Sequence, residues 1–298
     1  MTLLDEYKAD CQLRGIRYPK TSIYYIREFT AFLGKDPETA TRVDLKRYLQ
    51  ILRNRDLKQS SIQKAFNYLS TFYDFLLDEE LVVANPVPPF RKRYLQVYKD
   101  QSAQDNRQLI SVEDASRLVN STLDSRDKAI LILLFKTGMR AGELLALDVG
   151  DVDMQKMEIR LKPTTKRSNR LLFFDLETEV VLSSWLQARK YRSKHGGDAL
   201  FPSKTNARLS IRTLETNVAR HAARVGLHDP ASPLLEKRFT PHCARHWLTT
   251  WLYRAGMEER YIAWLRGDAP RGAMGPYVHI AAEDVRRSYL THVPRLGV

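Results

Sequence analysis

Cysteine is nearly missing from this 298-residue chain: only Cys11 and Cys243 occur, far apart in sequence. That usage excludes a disulfide framework and suggests no cysteine-based zinc site. Long hydrophobic runs are missing too. The longest, Ala129 to Phe135, is too short to cross a bilayer, and the opening Met1-Thr2-Leu3-Leu4-Asp5-Glu6 is no signal peptide. There is no G-x-x-x-x-G-K-[ST] loop to cradle a nucleotide, and no carboxylates cluster in a convincing magnesium arrangement. Fixed-period repeats and low-complexity tracts are absent. The expectation is a cytoplasmic protein with no membrane segment, no cofactor and no metal.

What the chain has in excess is positive charge. Its 48 Lys+Arg outnumber 35 Asp+Glu, for a net charge of +13. Both halves share the excess, so no detachable tail carries it. A polyanion touched by both halves accounts for this, because lysines and arginines that neutralise phosphates release counterions from nucleic acid. A basic surface that serves only solubility would look the same.

At this length two domains are comfortable. Residues 1–90 read as helical. Leu3, Leu4, Tyr7 and Cys11 keep helical spacing, with Gly15 as a stop. Ser22 is placed to cap a helix through Leu33, and Thr41 one from Val43 to Leu52. Ser60 or Ser61 would open a long helix whose Ile62, Phe66, Leu69, Phe72, Tyr73 and Leu76 form an apolar stripe, read as core. Lys58, Gln59, Ser60, Lys64 and Asn67 lie mostly off that stripe, on a face able to follow phosphates or merely solvated. Asn85-Pro86-Val87-Pro88-Pro89 is expected to end the helical block, and 91–107 to be a basic linker. From 108 to 298 a second domain begins, with Ser111 as a cap and a buried helix from Asp127 to Lys136 ended by Gly138. Met157–Leu161 and Leu171–Phe174 flank the basic turn 164–169, a hairpin signature. Further helices are expected near 176–190, 210–225, 241–254, 258–265 and 281–290. The fold class is thus mainly α with a small antiparallel sheet.

Three segments carry candidate chemistry. In Thr137-Gly138-Met139-Arg140-Ala141-Gly142-Glu143-Leu144, Arg140 stands at a helix start, where its guanidinium can meet an anion beside free backbone N–H groups. In Thr240-Pro241-His242-Cys243-Ala244-Arg245, proline pre-organises the first turn, and His242 and Arg245 share a face; Cys243 reads as packing. The third runs from Arg266-Gly267-Asp268 to Tyr277 and His279.

Taken singly these pieces are commonplace; in this order and spacing, around a basic hairpin, they resemble the tyrosine recombinase (phage integrase) family. The resemblance covers residues 107–298 closely and the first half only in general character. It implies a helical core-binding domain of SAM-like type before a tyrosine recombinase catalytic domain. It also implies duplex DNA with a specific site as partner, a homo-tetramer on synapsed DNA, and a place on the nucleoid. Position by position, Arg140 and Arg245 match the arginines that grip the scissile phosphate, His242 the motif's first histidine, and Tyr277 the nucleophile. The hairpin should supply a lysine, Lys166 being favoured over Lys162. Glu143 matches an acidic residue beside the first arginine. Asp268 departs from the usual His or Trp: an ionised carboxylate cannot donate to a phosphate oxygen, so it is expected to orient His242 or Arg245, or to face away while His279 or Arg266 makes the contact. Arg208, Arg212, Arg220 and Arg224 suggest a phosphate-tracking face, and the amphipathic segment after Tyr277 is expected to pack on a neighbouring protomer.

The chemistry suits the set. Attack on a phosphodiester builds charge on its oxygens, and two fork-shaped guanidinium groups neutralise it without a metal. Cationic neighbours favour a phenolate, and a histidine can accept its proton. Two rivals stay open: a type IB topoisomerase-like enzyme that relaxes DNA, and a DNA-binding regulator on an inactivated recombinase scaffold.

Overall fold

The computed structural model describes residues 2–16, 20–96, 108–163, 169–192, 197–203, 205, 207–232, 234–268 and 280–298. The chain divides into two compact units, Met1–Ser102 and Ala103–Val298.

The first unit holds α1 (Leu3–Leu13), α2 (Lys20–Leu33), α3 (Arg42–Asn54), α4 (Gln59–Asp78) and α5 (Val87–Tyr94). Reciprocal capping boxes start α1, between Thr2 and Asp5, and α3, between Thr41 and Asp44. Gly15 at φ +68° follows α1, as the sequence suggested. Helix α2 begins two residues before Ser22, which is buried inside it and is not its cap. The stripe on α4 is core: Phe66, Leu69, Phe72, Tyr73 and Leu76 are all buried. Aromatic edges fix the packing, with Phe29 against Tyr48 at 5.1 Å and Tyr7 against Phe72 at 5.4 Å.

The proline run does not stop the helical block. Pro88 and Pro89 sit in the first turn of α5, where a missing N–H deprives no intrahelical acceptor, and Phe90 stacks on Phe66 at 5.3 Å. The expected linker therefore begins too early at 91: Leu95 still belongs to this core. Residues 97–107 lie outside the described residues.

The second unit opens with α6 (Val112–Asn120), capped by Ser111 as expected, and α7 (Ser125–Thr137). From Asp127 to Thr137 every position of α7 except Lys128 is buried, so it is the central rod of the domain. It ends at Gly138 and is followed by α8 (Ala141–Ala146). Strands β1 (Val152–Asp153), β2 (Glu158–Arg160) and β3 (Leu171–Phe173) pair antiparallel in sequence order. The register Val152↔Ile159 and Ile159↔Leu172 puts Ile159 and Leu172 in the core. Then come α9 (Leu176–Arg192), α10 (Ile211–Arg224), α11 (Pro241–Arg254), α12 (Glu259–Arg266) and α13 (Ala282–His292). Among the described residues no helix is long and apolar enough to cross a membrane.

Two buried charged groups inside this unit, Asp127 and Lys136, are answered by partners. Asp127 accepts from Arg126 and stands 2.9 Å from His221 of α10. Burial pushes its carboxyl up, but His221 and Arg126 outweigh that and hold it below the ordinary value. Lys136, fully buried, donates to Asp175 and Glu177 at 2.5 Å each and to the Pro294 carbonyl at 2.6 Å. Helix α13 folds back on its own domain instead of leaving it: Val285 and Tyr289 are buried, and the Tyr289 hydroxyl donates to the Lys136 carbonyl at 2.8 Å. The expectation of exchange with a neighbour is thus corrected for this chain's own fold. The arginine series also changes meaning. Arg208 precedes α10 and caps α8, donating to the carbonyls of Ala146 and Leu147 at 3.1 and 3.0 Å. Arg220 faces Asp127 at 3.4 Å, while Arg212 and Arg224 are exposed.

Candidate active site

The site grows from the end of α7. Gly138 takes φ +59°, the left-handed conformation that lets the chain turn out of the helix into Arg140. A side chain there would be strained and would press on Leu248, its Cβ meeting Leu248 Cδ2 at 3.1 Å. Arg140 is the residue before α8, and Glu143 holds it twice. One carboxylate oxygen accepts from the Arg140 backbone N–H at 2.8 Å, the other from its guanidinium at 2.9 Å. Glu143 is buried and the Arg140 side chain is 33% exposed, so the carboxylate fixes the stem while part of the guanidinium stays accessible.

Arg245 sits one turn into α11 and is 5% exposed. Its guanidinium donates to the Gly138 carbonyl at 2.6 Å and to the Arg266 carbonyl at 2.9 Å. A single buried cation therefore ties the loop that carries Arg140 to the end of α12. Planar guanidinium suits this task, since its fork presents several donors at fixed angles. His242, one turn earlier on α11, is exposed. Cys243 is buried, with its sulfur 3.3 Å from the Thr240 backbone nitrogen, as a packing residue would be.

Helix α12 ends at Gly267, again left-handed at φ +66°, and the Asp268 N–H donates back to the Ala263 carbonyl at 3.0 Å. Asp268 pairs with Arg266 at 2.8 Å and lies 4.0 Å from the Arg245 guanidinium.

The hairpin joins the same assembly from its far strand. Asn169 donates to the Trp264 carbonyl at 3.2 Å, and Phe173 stacks on Trp264 at 5.9 Å. Asn169, which follows the segment that bears Lys166, is thus fastened to α12. Lys166 itself, Tyr277 and His279 lie outside the described residues. Lys162 is described and is engaged: it pairs with Asp148 and stands 3.6 Å from Asp151. The hydrogen bond from Lys162 to Asp148 raises its ammonium above the ordinary lysine value.

The fold brings Arg140, Arg245 and Asp268, all singled out by the sequence, into one region. What the sequence did not show is that backbone carbonyls at Gly138 and Arg266 position Arg245. The glycines at 138 and 267 were the visible signal, since each marks a helix end whose carbonyls need donors.

A helical unit is thus followed by a mainly helical unit with a small antiparallel sheet, in which a carboxylate braces Arg140 and two carbonyls brace Arg245. Comparison with known proteins narrows this. The Phage integrase family model matches residues 103–283, and the model for the phage integrase N-terminal SAM-like domain matches residues 3–82. The chain belongs to the phage integrase family and is a tyrosine-type site-specific DNA recombinase. Among its relatives, tyrosine recombinase XerA of Saccharolobus solfataricus is 27% identical over 274 residues, covering 89% of this chain and 83% of that one. Tyrosine recombinase XerC of Bacillus subtilis is 28% identical over 282 residues, covering 91% and 88%. In fold, the chain is similar to the Tn1549 transposon integrase in complex with circular intermediate DNA, with TM-score 0.68, 20% identity, and 97% and 98% of the two chains covered. It is also similar to a lambda integrase dimer bound to a COC' core site, with TM-score 0.63, 15% identity, and 94% and 98% covered.

Proposed function

We propose that the chain cleaves and rejoins duplex DNA through a 3′-phosphotyrosyl bond to Tyr277, with neither metal nor nucleotide. The Tyr277 oxygen attacks the scissile phosphorus and its proton passes to His242. The P–O5′ bond breaks, and the leaving 5′ oxygen takes a proton from Lys166. The 5′ hydroxyl of a second strand then gives its proton to Lys166 and attacks the phosphotyrosine, the bond to Tyr277 breaks, the phenol oxygen takes its proton back from His242, and the ester energy is conserved throughout. Arg140 and Arg245 neutralise the non-bridging oxygens as charge builds.

One observation carries this reading: the Arg245 guanidinium is pre-set by the Gly138 and Arg266 carbonyls, beside the braced Arg140. A cation already held costs no reorganisation when the transition state forms. Asp268 serves as a positioning residue, holding Arg266 and lending Arg245 a nearby negative charge. Lys162 is poorly suited as the acid, because a raised pKa makes a proton harder to release near neutrality. Lys166 is the better candidate.

The units divide the labour: Met1–Ser102 acts as the core-binding domain, and Ala103–Val298 as the catalytic domain. Both units contact a specific duplex site, and four copies assemble on two synapsed duplexes in the cytoplasm, at the nucleoid. The two solved integrases above hold DNA, and their similarity over both units supports that partner.

The test uses DNA flanking the protein's own gene, incubated with the purified chain in excess EDTA without nucleotide, and then quenched with detergent. Protein-linked DNA is expected from the unaltered chain and none from Tyr277→Phe, which should still retard the duplex. Adducts that need magnesium, or that persist in Tyr277→Phe, would contradict the reading.

A further inference from the structure

The first unit carries a group of cations that its own fold does not answer. Arg42 and Lys46, one turn apart on α3, and Arg93, in the last turn of α5, surround the ring of Tyr94. Their charged ends stand 5.6, 5.6 and 5.8 Å from the ring centroid. Arg42, Lys46 and Arg93 are exposed, and none forms an ion pair among the described residues. Several other cations of the unit are paired. Lys8 has Asp5, Arg14 has Asp10, Lys35 has Asp44, and Arg55 has Glu28. Asp44, the acid of α3 nearest this group, is taken by Lys35 and by the Thr41 cap. Helix α5 itself has no acid.

Like charges gathered at this spacing repel one another, and the negative face of one aromatic ring offsets only part of that cost. The local potential shows in the phenol. Partial burial pushes Tyr94 up, yet Lys46, Arg42 and Arg93 together pull it below the ordinary tyrosine value. The ring is half-buried and α5 is pinned at this end, where Arg53 reaches the Tyr94 carbonyl at 3.4 Å and Gln63 of α4 donates to the Leu95 carbonyl at 3.2 Å. The cations thus stand on a fixed platform from two helices.

We infer that Arg42, Lys46 and Arg93, arrayed around Tyr94, form a binding site for backbone phosphates of duplex DNA at the α3–α5 edge of the first unit. This rests on the recombinase reading and adds to it a contact that reads no bases: exposed cations directed at phosphate position a duplex without specifying sequence. It shares no residue with the polar face of α4 that holds Lys58 and Lys64. Tyr94 acts as a spacer that keeps the three charges together, and its hydroxyl can itself donate to a phosphate oxygen.

The test is binding of the full chain to a labelled random-sequence duplex across a salt series, read by fluorescence anisotropy. The triple variant Arg42→Gln, Lys46→Gln, Arg93→Gln is compared with Arg14→Gln, which removes a cation already paired to Asp10. If each lost phosphate contact lowers the slope of log affinity against log salt by about 0.9, the triple variant should lose about 2 or more. Arg14→Gln should leave the slope nearly unchanged, and Tyr94→Ala should weaken binding more than Tyr94→Phe. Equal slopes for the triple variant and the unaltered chain would overturn the site, as would an equal loss in Arg14→Gln, which would mean that only net charge matters. Those outcomes leave the DNA reading standing. A chain that binds no duplex at low salt would remove that reading, and this site with it. Arg42, Lys46, Arg93 and Arg14 are exposed, so matching thermal unfolding of the charge variants is expected and separates a binding defect from misfolding.

Discussion

Arg245→Ala should slow strand cleavage by roughly 10³-fold or more, the range seen when one preorganised donor or cation is removed from a charge-building transition state. Duplex binding should change far less, since many other cations reach phosphates. The loss is expected to be large because Arg245 does two things at once. It offers charge, and it fastens the Gly138 turn and the Arg266 end of α12, with bonds of 2.6 and 2.9 Å. Arg245→Lys separates these tasks. A lysine keeps the charge but lacks the planar fork needed to serve two carbonyls and a phosphate, so it should recover little of the rate. Quantifying covalent complex against time checks both variants. Near-normal cleavage by the lysine variant would show that carbonyl bracing is dispensable.

Lys136→Met should destabilise the catalytic unit by about 3–5 kcal/mol, the usual result of removing one partner from a buried charge network, and lower its unfolding temperature by roughly 10 °C. Asp175 and Glu177 would be left facing each other without their cation, and Pro294 would lose its donor. The pH dependence has a definite sign. In the intact chain burial pushes the Glu177 carboxyl up, but Lys136 and the N–H groups of Leu296 and Gly297 hold it below the ordinary value. A depressed carboxyl gives stability that is present above its unfolded pKa and lost as pH falls through the folded one. Without Lys136, Glu177 would bind a proton more readily in the folded chain than it does with its cation present, so the variant's deficit should narrow below about pH 5, near the unfolded glutamate value. Thermal melts over a pH series measure this. A deficit that widens in acid would show that the ammonium is not what offsets these carboxylates.

The same network explains why the fate of the C-terminal helix was hard to foresee. Amphipathic spacing in Val285 and Tyr289 says that a face will be buried, not against which molecule. The deciding contacts are long-range: Tyr289 on the Lys136 carbonyl, Leu296 and Gly297 on Glu177, and the Leu296 carbonyl on Ser116 at 2.5 Å. None has a local signature. Helix ends, by contrast, were legible because capping is local chemistry. Thr41 with Asp44, Ser111 with Asp114, and Gly138 all act within four residues, and each sits where it was expected. The proline run at 86–89 misled for a related reason: prolines that open a helix and prolines that break one differ only in the residues after them, here Phe90 to Tyr94. Strand β1 was missed because two residues, Val152 and Asp153, cannot display a period.

In the site, the arginines were readable from motif and spacing, and their bracing was not. Glu143 could be placed beside Arg140 from the sequence, being one helical turn away. The Arg266 carbonyl could not be matched to Arg245, 21 residues earlier, without the fold. Asp268 looked like a defect in a phosphate site. In the fold it pairs with Arg266.

Which atom takes the DNA strand is the central question, and peptide mapping of the adduct answers it. Tryptic cleavage after Arg271 and Arg286 yields Gly272 to Arg286, a peptide with Tyr277 as its one tyrosine. After nuclease trimming of DNA-linked protein, fragmentation of this peptide should place a 3′-phosphorylated nucleotide remnant on the Tyr277 oxygen. A remnant on any other residue, or protein-linked DNA with this peptide unmodified, would contradict it.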